Sequence, residues 1–431
     1  MPFNTALSGL NAASTDLSVT ANNIANAGTA GFKQSRTEFV DVYALAFAGV
    51  SSTTPGIGVR VADISQQFTQ GNIDYTNSNL DLAIKGLGFF TLEDSGARVY
   101  ARAGAFHVDR NGYVVNSEGQ ELQAYAPIGN TGTFNTGALN SLQLLTTTGA
   151  PNASTLITAG LNVDASRTPF TVTGLTDNKT TVFDPANPNT YHNSTALAVY
   201  DSLGTLHTAT MYYRKVDTAL GTLPNSWQTF LYIDGTEVPP VASAAGTPGT
   251  MTFNPNGTLN TVSPVGSTST RLGYSAYVPT TGASNITLEI DYNDTSQYGT
   301  AFGVNSLIQD GFTTGQLSSI DVDSSGVVFA RFTNGQTSTL GKLAMGNFTN
   351  PQGLRQLGDS VWAESFESGN VILGEAGTAS FGLIQQGALE ASNVDISEQL
   401  VNLITAQRNF QANAQVITTA DTITQTIINI R

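Results

Sequence analysis

Apolar residues recur on a seven-residue repeat at both ends of the chain, and between the ends the pattern changes to short alternating runs broken by Gly, Pro, Asn and Asp. At the N-terminus Phe3, Leu7, Leu10, Ser14, Leu17, Ala21 and Ile24 fall on alternating steps of four and three, with Ser14 as the polar break. At the C-terminus Ile396, Leu400, Leu403, Gln407, Phe410, Ala414, Ile417, Asp421, Thr424 and Ile428 keep the same alternation, interrupted at Gln407, Asp421 and Thr424. So narrow a stripe fits a coiled-coil seam better than the wide face of a globular helix. It predicts two terminal helices that meet each other along this seam. The first helix is expected from near Asn4, which can cap it, to Gly28 in the left-handed position past its end. Gly and Pro are absent from Ala388 to Arg431, and Ser392, Asp395 and Glu398 resemble a capping box with acidic residues in the first turn, so the second helix starts there.

Between the ends, one local pattern recurs. Asp109 to Gly112, Asp201 to Gly204, Asn254 to Gly257 and Asp323 to Gly326 each place an Asx three residues before a Gly, flanked by β-favouring residues. That is the chemistry of a type I turn closed by a left-handed residue, and it predicts a β-hairpin at each site. Residues 147–298 are enriched in Thr, Ser, Asn, Pro and Gly and read as an inserted outer β domain. The flanks, 76–146 and 299–387, then form one discontinuous β domain, because the two helical ends can pair only if the chain returns to its start. Residues 1–30 and 388–431 make the terminal helical coiled-coil domain and 31–75 a linker region, with Gly49 to Gly58 as a flexible loop. The fold class is α+β and multidomain. If the molecule bends, strain is expected at that loop and at chain crossings near Thr147 and Asn305.

The 431 residues exceed what one hydrophobic core supports. Only 11% are charged, against about 25% in an ordinary domain, so the surface is covered by neutral polar groups suited to close, repeated contacts. A net charge of −15 with scattered basic residues argues against nucleic acid and against anionic membrane. There is no cysteine, which removes disulfides, thiolate metal sites and thiol catalysis. No charged n-region with an apolar run marks a secretory signal, and no apolar run is long enough to insert in a membrane.

Four segments approach catalytic or ligand motifs and fall short. Gly335 to Lys342 is spaced one residue too widely for a phosphate loop and is followed by Leu343 instead of a hydroxyl. Asp321, Asp323, Ser325 and Gly326 begin like a calcium loop, but Phe332 stands where a bidentate Glu is needed. Gly358, Asp359 and Ser360 resemble a serine nucleophile segment without the glycines that shape an oxyanion hole. Gly86 and Gly88 lack the third glycine of a dinucleotide fingerprint. No catalytic, metal or cofactor site is expected, and the chain reads as a non-enzyme.

The run Ala21 to Lys33, A-N-N-I-A-N-A-G-T-A-G-F-K, resembles the N-terminal signature of the flagellar rod and hook proteins, through Asn23, Ile24, Ala25, Asn26, Thr29, Gly31, Phe32 and Lys33. A second match runs from Asn79 to Phe90 and on through Arg102, Gly104 and Phe106. A third spans Gly387 to Asp395 with Leu389, Glu390, Ser392, Asn393, Val394 and Asp395, and continues through Glu398, Gln407, Arg408 and Asn413. The large insertion is similar to that of the hook branch of the family. The resemblance implies a helical homopolymer around a channel, exported unfolded by the flagellar export apparatus without a cleavable signal. It also implies an extracellular, flexible tubular joint that carries torque from rod to filament, in contact with hook cap, distal rod and hook-filament junction proteins. The alternatives are a distal rod protein of the basal body, or a secreted β-rich adhesin, which would not need the terminal seams.

Overall fold

The computed structural model describes residues 2–42, 56–129, 132–144, 149–176, 182–264, 266–378 and 380–429. They divide into two compact units, one of residues 1–146, 317–331 and 337–431, the other of 147–316 and 332–336.

The first unit holds both helices, α1 (Pro2–Ala25) and α2 (Ile396–Asn429). α2 starts at the expected place, but its cap is Asp395 and not Ser392. Asp395 Oδ1 accepts from the amides of Ser397 and Glu398 at 2.8 and 3.2 Å, two of the donors that a helix start leaves free. α1 starts two residues before Asn4, and Gly28 is not its left-handed terminator. That conformation falls to Gly31, at φ 71°. The segment expected to be a linker contains an antiparallel hairpin, β1 (Ser35–Val42) and β2 (Gly58–Gln66). Ser8 of α1 accepts from Val59 N at 3.2 Å and so ties α1 to this hairpin. Of the loop Gly49 to Gly58, residues up to 55 lie outside the described residues.

The β part of this unit is built from both passes of the chain. In its twelve-stranded sheet the late strand Thr337–Asn347 lies between Val327–Phe332 and the early strand Glu121–Pro127, pairing Lys342 with Tyr125, and Met345 with Phe90 of Phe89–Asp94. Two small ladders join entry to exit: Leu82–Lys85 with Leu383–Gln386, and Ile73–Tyr75 with Ala388–Glu390. Leu82, Ile84, Phe90, Leu92, Leu122 and Leu343 fill the core, beside an aromatic cluster of Phe68, Phe89, Tyr100, Phe348 and Trp362.

The second unit packs a seven-stranded sheet and a five-stranded sheet around one core that includes Trp227, Met211, Leu161 and Tyr292. Period-two patterning is clear along Leu206–Asp217, where His207, Ala209, Met211 and Tyr213 point inward while Leu206 and Thr208 are exposed. The strand Gly303–Gln309 pairs with Leu156–Asp164, so this unit extends past residue 298. Asn305 is therefore a strand residue and not a crossing; Thr147 lies outside the described residues.

All four Asx-to-Gly turns close as expected. Gly112, Gly204, Gly257 and Gly326 have φ between 80° and 86°, and each donates its amide to the Asx carbonyl at 2.9–3.1 Å. Asp323 shows the mechanism: its Oδ1 accepts from Ser325 N and Val327 N at 2.9 and 2.8 Å, so the would-be calcium ligand is spent on its own backbone. The same pattern at Asn116 to Gly119, overlooked in the sequence, makes a fifth such turn. Replacing Gly326 by Val places a Cβ 3.0 Å from Ile384 Cδ1 at a φ that β-branched residues avoid. Chemical denaturation of Gly326→Val is expected to show a loss of about 1–3 kcal/mol in the transition reported by Trp362. The Trp227 transition should stay unchanged.

Candidate assembly site

The three sequence motifs converge at the base of the helices. Past α1 the chain turns through Asn26 to Gly31, with Thr29 bonded to Asn26 through both backbone and side chain. Gly31 N then donates to Glu390 O at 2.7 Å. A side chain at Gly31 would collide with the backbone of Ala103, so left-handed φ and close approach both require glycine here. Phe32 is buried next to it.

Lys33 follows, 1% exposed, and its Nζ lies 2.6 Å from Glu390 Oε1 and 2.7 Å from Thr69 O. Arg102 donates to Glu390 Oε2 at 3.2 Å, and Gly71 N donates to Oε1 at 2.9 Å. One carboxylate thus answers two cations, all three residues being at most 2% exposed. The Phe89 ring, 5.3 Å from the Arg102 guanidinium, supplies a negative face for the surplus charge. Burial lowers the Lys33 pKa, Glu390 works against the shift, and the net direction is downward. Arg102 shifts the same way for the same reason.

An amide layer surrounds the triad. Asn23 clamps both backbone groups of Ser35, at 2.9 and 2.8 Å, and donates to Gln399 Oε1 of α2 at 3.2 Å. Asn393 accepts from Gln34 N at 2.8 Å and donates to Gln67 O at 2.7 Å. Asn23, Gly31, Phe32, Lys33, Glu390, Asn393 and the cap Asp395 therefore form one joint, with Val394 half-buried beside it. Leu389 pairs with Asp74, and Ser392 accepts from Val394 N. Gln407 and Arg408 are not part of this joint: both are exposed on α2. Gln34, Thr69, Gly71 and Gln399, which the sequence reading passed over, act through local polar chemistry that no pattern marks.

The helices do meet, but not on the expected stripe. They run antiparallel, with Gly9 against Asn413 and Asn23 against Gln399. The inner stripe of α1 is Ala6, Gly9, Ala13, Thr20 and Asn23; that of α2 is Gln399, Leu403, Ala406, Phe410, Asn413, Ile417 and Ala420. On α1 the expected seam is displaced by one residue, about 100° around the helix. Small residues win the contact because they let the two backbones approach closely. Phe3, Leu7, Ile396, Leu400 and Ile428 are exposed, as is Ala21, while Leu10, Leu17, Ile24 and Ala414 are half-buried and Ala25 is exposed. Val401, Ile404, Val416 and Ile423 add further exposed apolar surface to α2.

Among the described residues no helix is long and apolar enough to cross a membrane, and no group of three or more His, Asp or Glu could hold a metal ion.

Residues 3–33 match the family described as Flagella basal body rod protein, and 83–172 the Flagellar hook protein FlgE/F/G D1 domain. Residues 162–312 match the Flagellar basal body protein FlaE D2 domain, and 385–430 the Flagellar basal body rod FlgEFG protein C-terminal. These define the class: a structural protein of the flagellar rod and hook. Along its whole length the chain is 37% identical to the flagellar hook protein FlgE of Escherichia coli (strain K12), with 100% of both covered. It is 31% identical to that of Borreliella burgdorferi over 99% of this chain and 98% of the relative. The crystal structure of Helicobacter pylori flagellar hook protein FlgE2 shares the fold over 74% of this chain and 100% of that one, with TM-score 0.52 and 16% identity. The chain belongs to the flagellar hook protein family.

Glu390→Gln keeps shape but leaves two buried cations without a counter-charge. It is expected to destabilise the first unit by about 3–5 kcal/mol, measured by urea unfolding in a Trp227→Phe background so that Trp362 alone reports. A loss under about 1 kcal/mol would mean the triad is not held by charge.

Proposed function

We propose that this chain is the subunit of the flagellar hook and that copies of it polymerise through the apolar flanks of α1 and α2. The observation that carries this is the placement of apolar residues nearly all round α2. Leu403, Phe410 and Ile417 turn toward α1, while Leu400, Val401, Ile404, Val416 and Ile423 remain open. Exposed apolar side chains spread this widely around a helix mark an interaction surface, and a second copy supplies the burial. The polymer is a tubular, extracellular joint that transmits torque from rod to filament. Its subunits leave the cell through the flagellar export apparatus without cleavage of a signal. Its ends contact the distal rod and the hook-filament junction proteins, and it grows beneath a hook cap. The match of family and length to hook proteins over the whole chain supports this reading over a rod protein.

Leu7→Asp and Leu400→Asp test it, because both side chains are about half exposed, at 51% and 46%, and neither substitution buries a charge in the monomer. Each is expected to abolish pelletable, tube-forming polymer, since every interface loses about 1.5–3 kcal/mol of leucine burial and must desolvate a carboxylate. Circular dichroism and both tryptophan signals should match the parent. Normal tubes from both variants would refute the helix-mediated assembly.

A further inference from the structure

Phe366, in the first unit, is fully exposed, yet the loop that carries it is tied down on both sides of the ring. Ser365 Oγ accepts from Glu367 N and Ser368 N at 3.1 and 3.2 Å and donates to Gly353 O. Ser368, wholly buried, accepts from Ser365 N and donates to Ser365 O, both at 2.9 Å. Asn350 Nδ2 donates to Glu367 O at 3.1 Å, and a side chain on Gly353 would collide with the backbone of Glu367 and Ser368. A slack tip folds its aromatic ring back onto the surface; this one holds the ring out in water beside the exposed Glu367. A ring so presented has a large apolar area to bury and loses little freedom when it binds.

The same unit carries a second built surface, of opposite charge. Gly86 and Gly88, the pair that stops short of a dinucleotide fingerprint, have φ of 120° and 114°. A Cβ on Gly86 would meet Gly382 Cα at 2.9 Å and one on Gly88 would meet Met345 Cε at 2.8 Å, so both positions are pressed inward. Gly382 N also donates to Leu87 O at 2.8 Å. Leu87, between the two glycines, is left 64% exposed. Leu383, exposed as well, lies directly across its ladder from the exposed Lys85, and side chains so paired share one face. The result is an apolar patch with a basic edge.

We propose that Phe366 of one copy seats on Leu87 and Leu383 of the next, with Glu367 against Lys85, as a contact between copies separate from the helices. It rests on the helix-mediated assembly proposed above, which brings copies side by side. The partner is a second copy because both halves of the contact lie on one chain and their charges are complementary. Ring and seat are different residues, so the contact passes from copy to copy instead of closing as a two-fold pair, which is what an open polymer needs. The exposed Phe39 and Ile64 of the β1–β2 hairpin are a rival seat, but Glu38, Asp41 and Asp63 stand among them and repel Glu367.

The amino acid p-benzoylphenylalanine placed at position 366 keeps an aromatic ring there and tests the seat directly. Polymer assembled from equal parts of isotopically heavy and light chains is irradiated, run on a denaturing gel and digested. The expected result is a ladder that passes beyond dimers, with mixed-isotope peptides joining position 366 to residues 85–88 or 381–383. Adducts that join 366 to 366, adducts to other residues, or none in a polymer that pellets normally overturn the proposal and leave the helix contacts standing. Phe366→Ser is expected to raise the protein concentration needed for assembly about tenfold or more without moving the unfolding transition reported by Trp362. Assembly at the parent's concentration overturns the proposal. Glu367→Lys should weaken assembly and Lys85→Glu in the same chain should restore it, a rescue that a merely structural role of either residue does not produce. Tubes of Leu7→Asp and Leu400→Asp that still cross-link from position 366 to this seat would refute the helix reading alone.

Discussion

One buried carboxylate, Glu390, is the constraint on which the first unit depends. Its partners come from the stretch after α1 and from the early β strands, and it leads into α2 itself. A carboxylate in such a place is tolerated only when it is paired and hydrogen-bonded, and here Lys33, Arg102 and Gly71 N donate to both of its oxygens while Phe89 answers the excess positive charge. The geometry therefore fixes where α1 ends and where α2 begins relative to the sheet. The amide clamps of Asn23 and Asn393 extend the same fixation to β1 and to the first turn of α2.

With their bases fixed, the helices need little mutual adhesion. Their inner stripe is made of Ala, Gly, Thr and amide residues, with Leu403, Phe410 and Ile417 as the larger contacts. This contact buries less apolar surface than Leu7, Leu10, Leu17, Leu400 and Ile404 would have provided had they faced inward. The arrangement keeps the strongest apolar surface for contacts outside the chain, which is what a subunit requires and a solitary protein avoids.

Local rules made the helices and the turns legible. Asx at the first turn position and Gly at the fourth carry their own geometry, and the absence of breakers carried α2. Contacts between distant segments were not legible. Gly31 takes the left-handed role because Ala103 presses on it, whereas Gly28, chosen for its position after an apolar run, has open space around it. The seam was read from the largest side chains, but close approach selected small ones one position away. Glu390 stood out only through its motif, since nothing near it in sequence announces Lys33. The inserted domain was ended too early because Gly303–Gln309 gains its place only by pairing with Leu156–Asp164.

The two units also close in different ways. The second draws its sheets from one continuous stretch apart from a short hairpin tip, and its ends are joined by contacts such as Ser154 to Gln309 at 2.7 Å. The first cannot complete its sheet until Thr337–Asn347 pairs with the early strands Glu121–Pro127 and Phe89–Asp94, nor neutralise Lys33 until Glu390 arrives. Loop-closure entropy grows only slowly with length, so joining segments this far apart costs little at equilibrium, although non-local contacts of this kind are slow to form. Until they form, Lys33 and Arg102 lack their counter-charge and α2 lacks the base that aligns it. The apolar flanks of the helices are thus held in place by the same return of the chain that closes the β core.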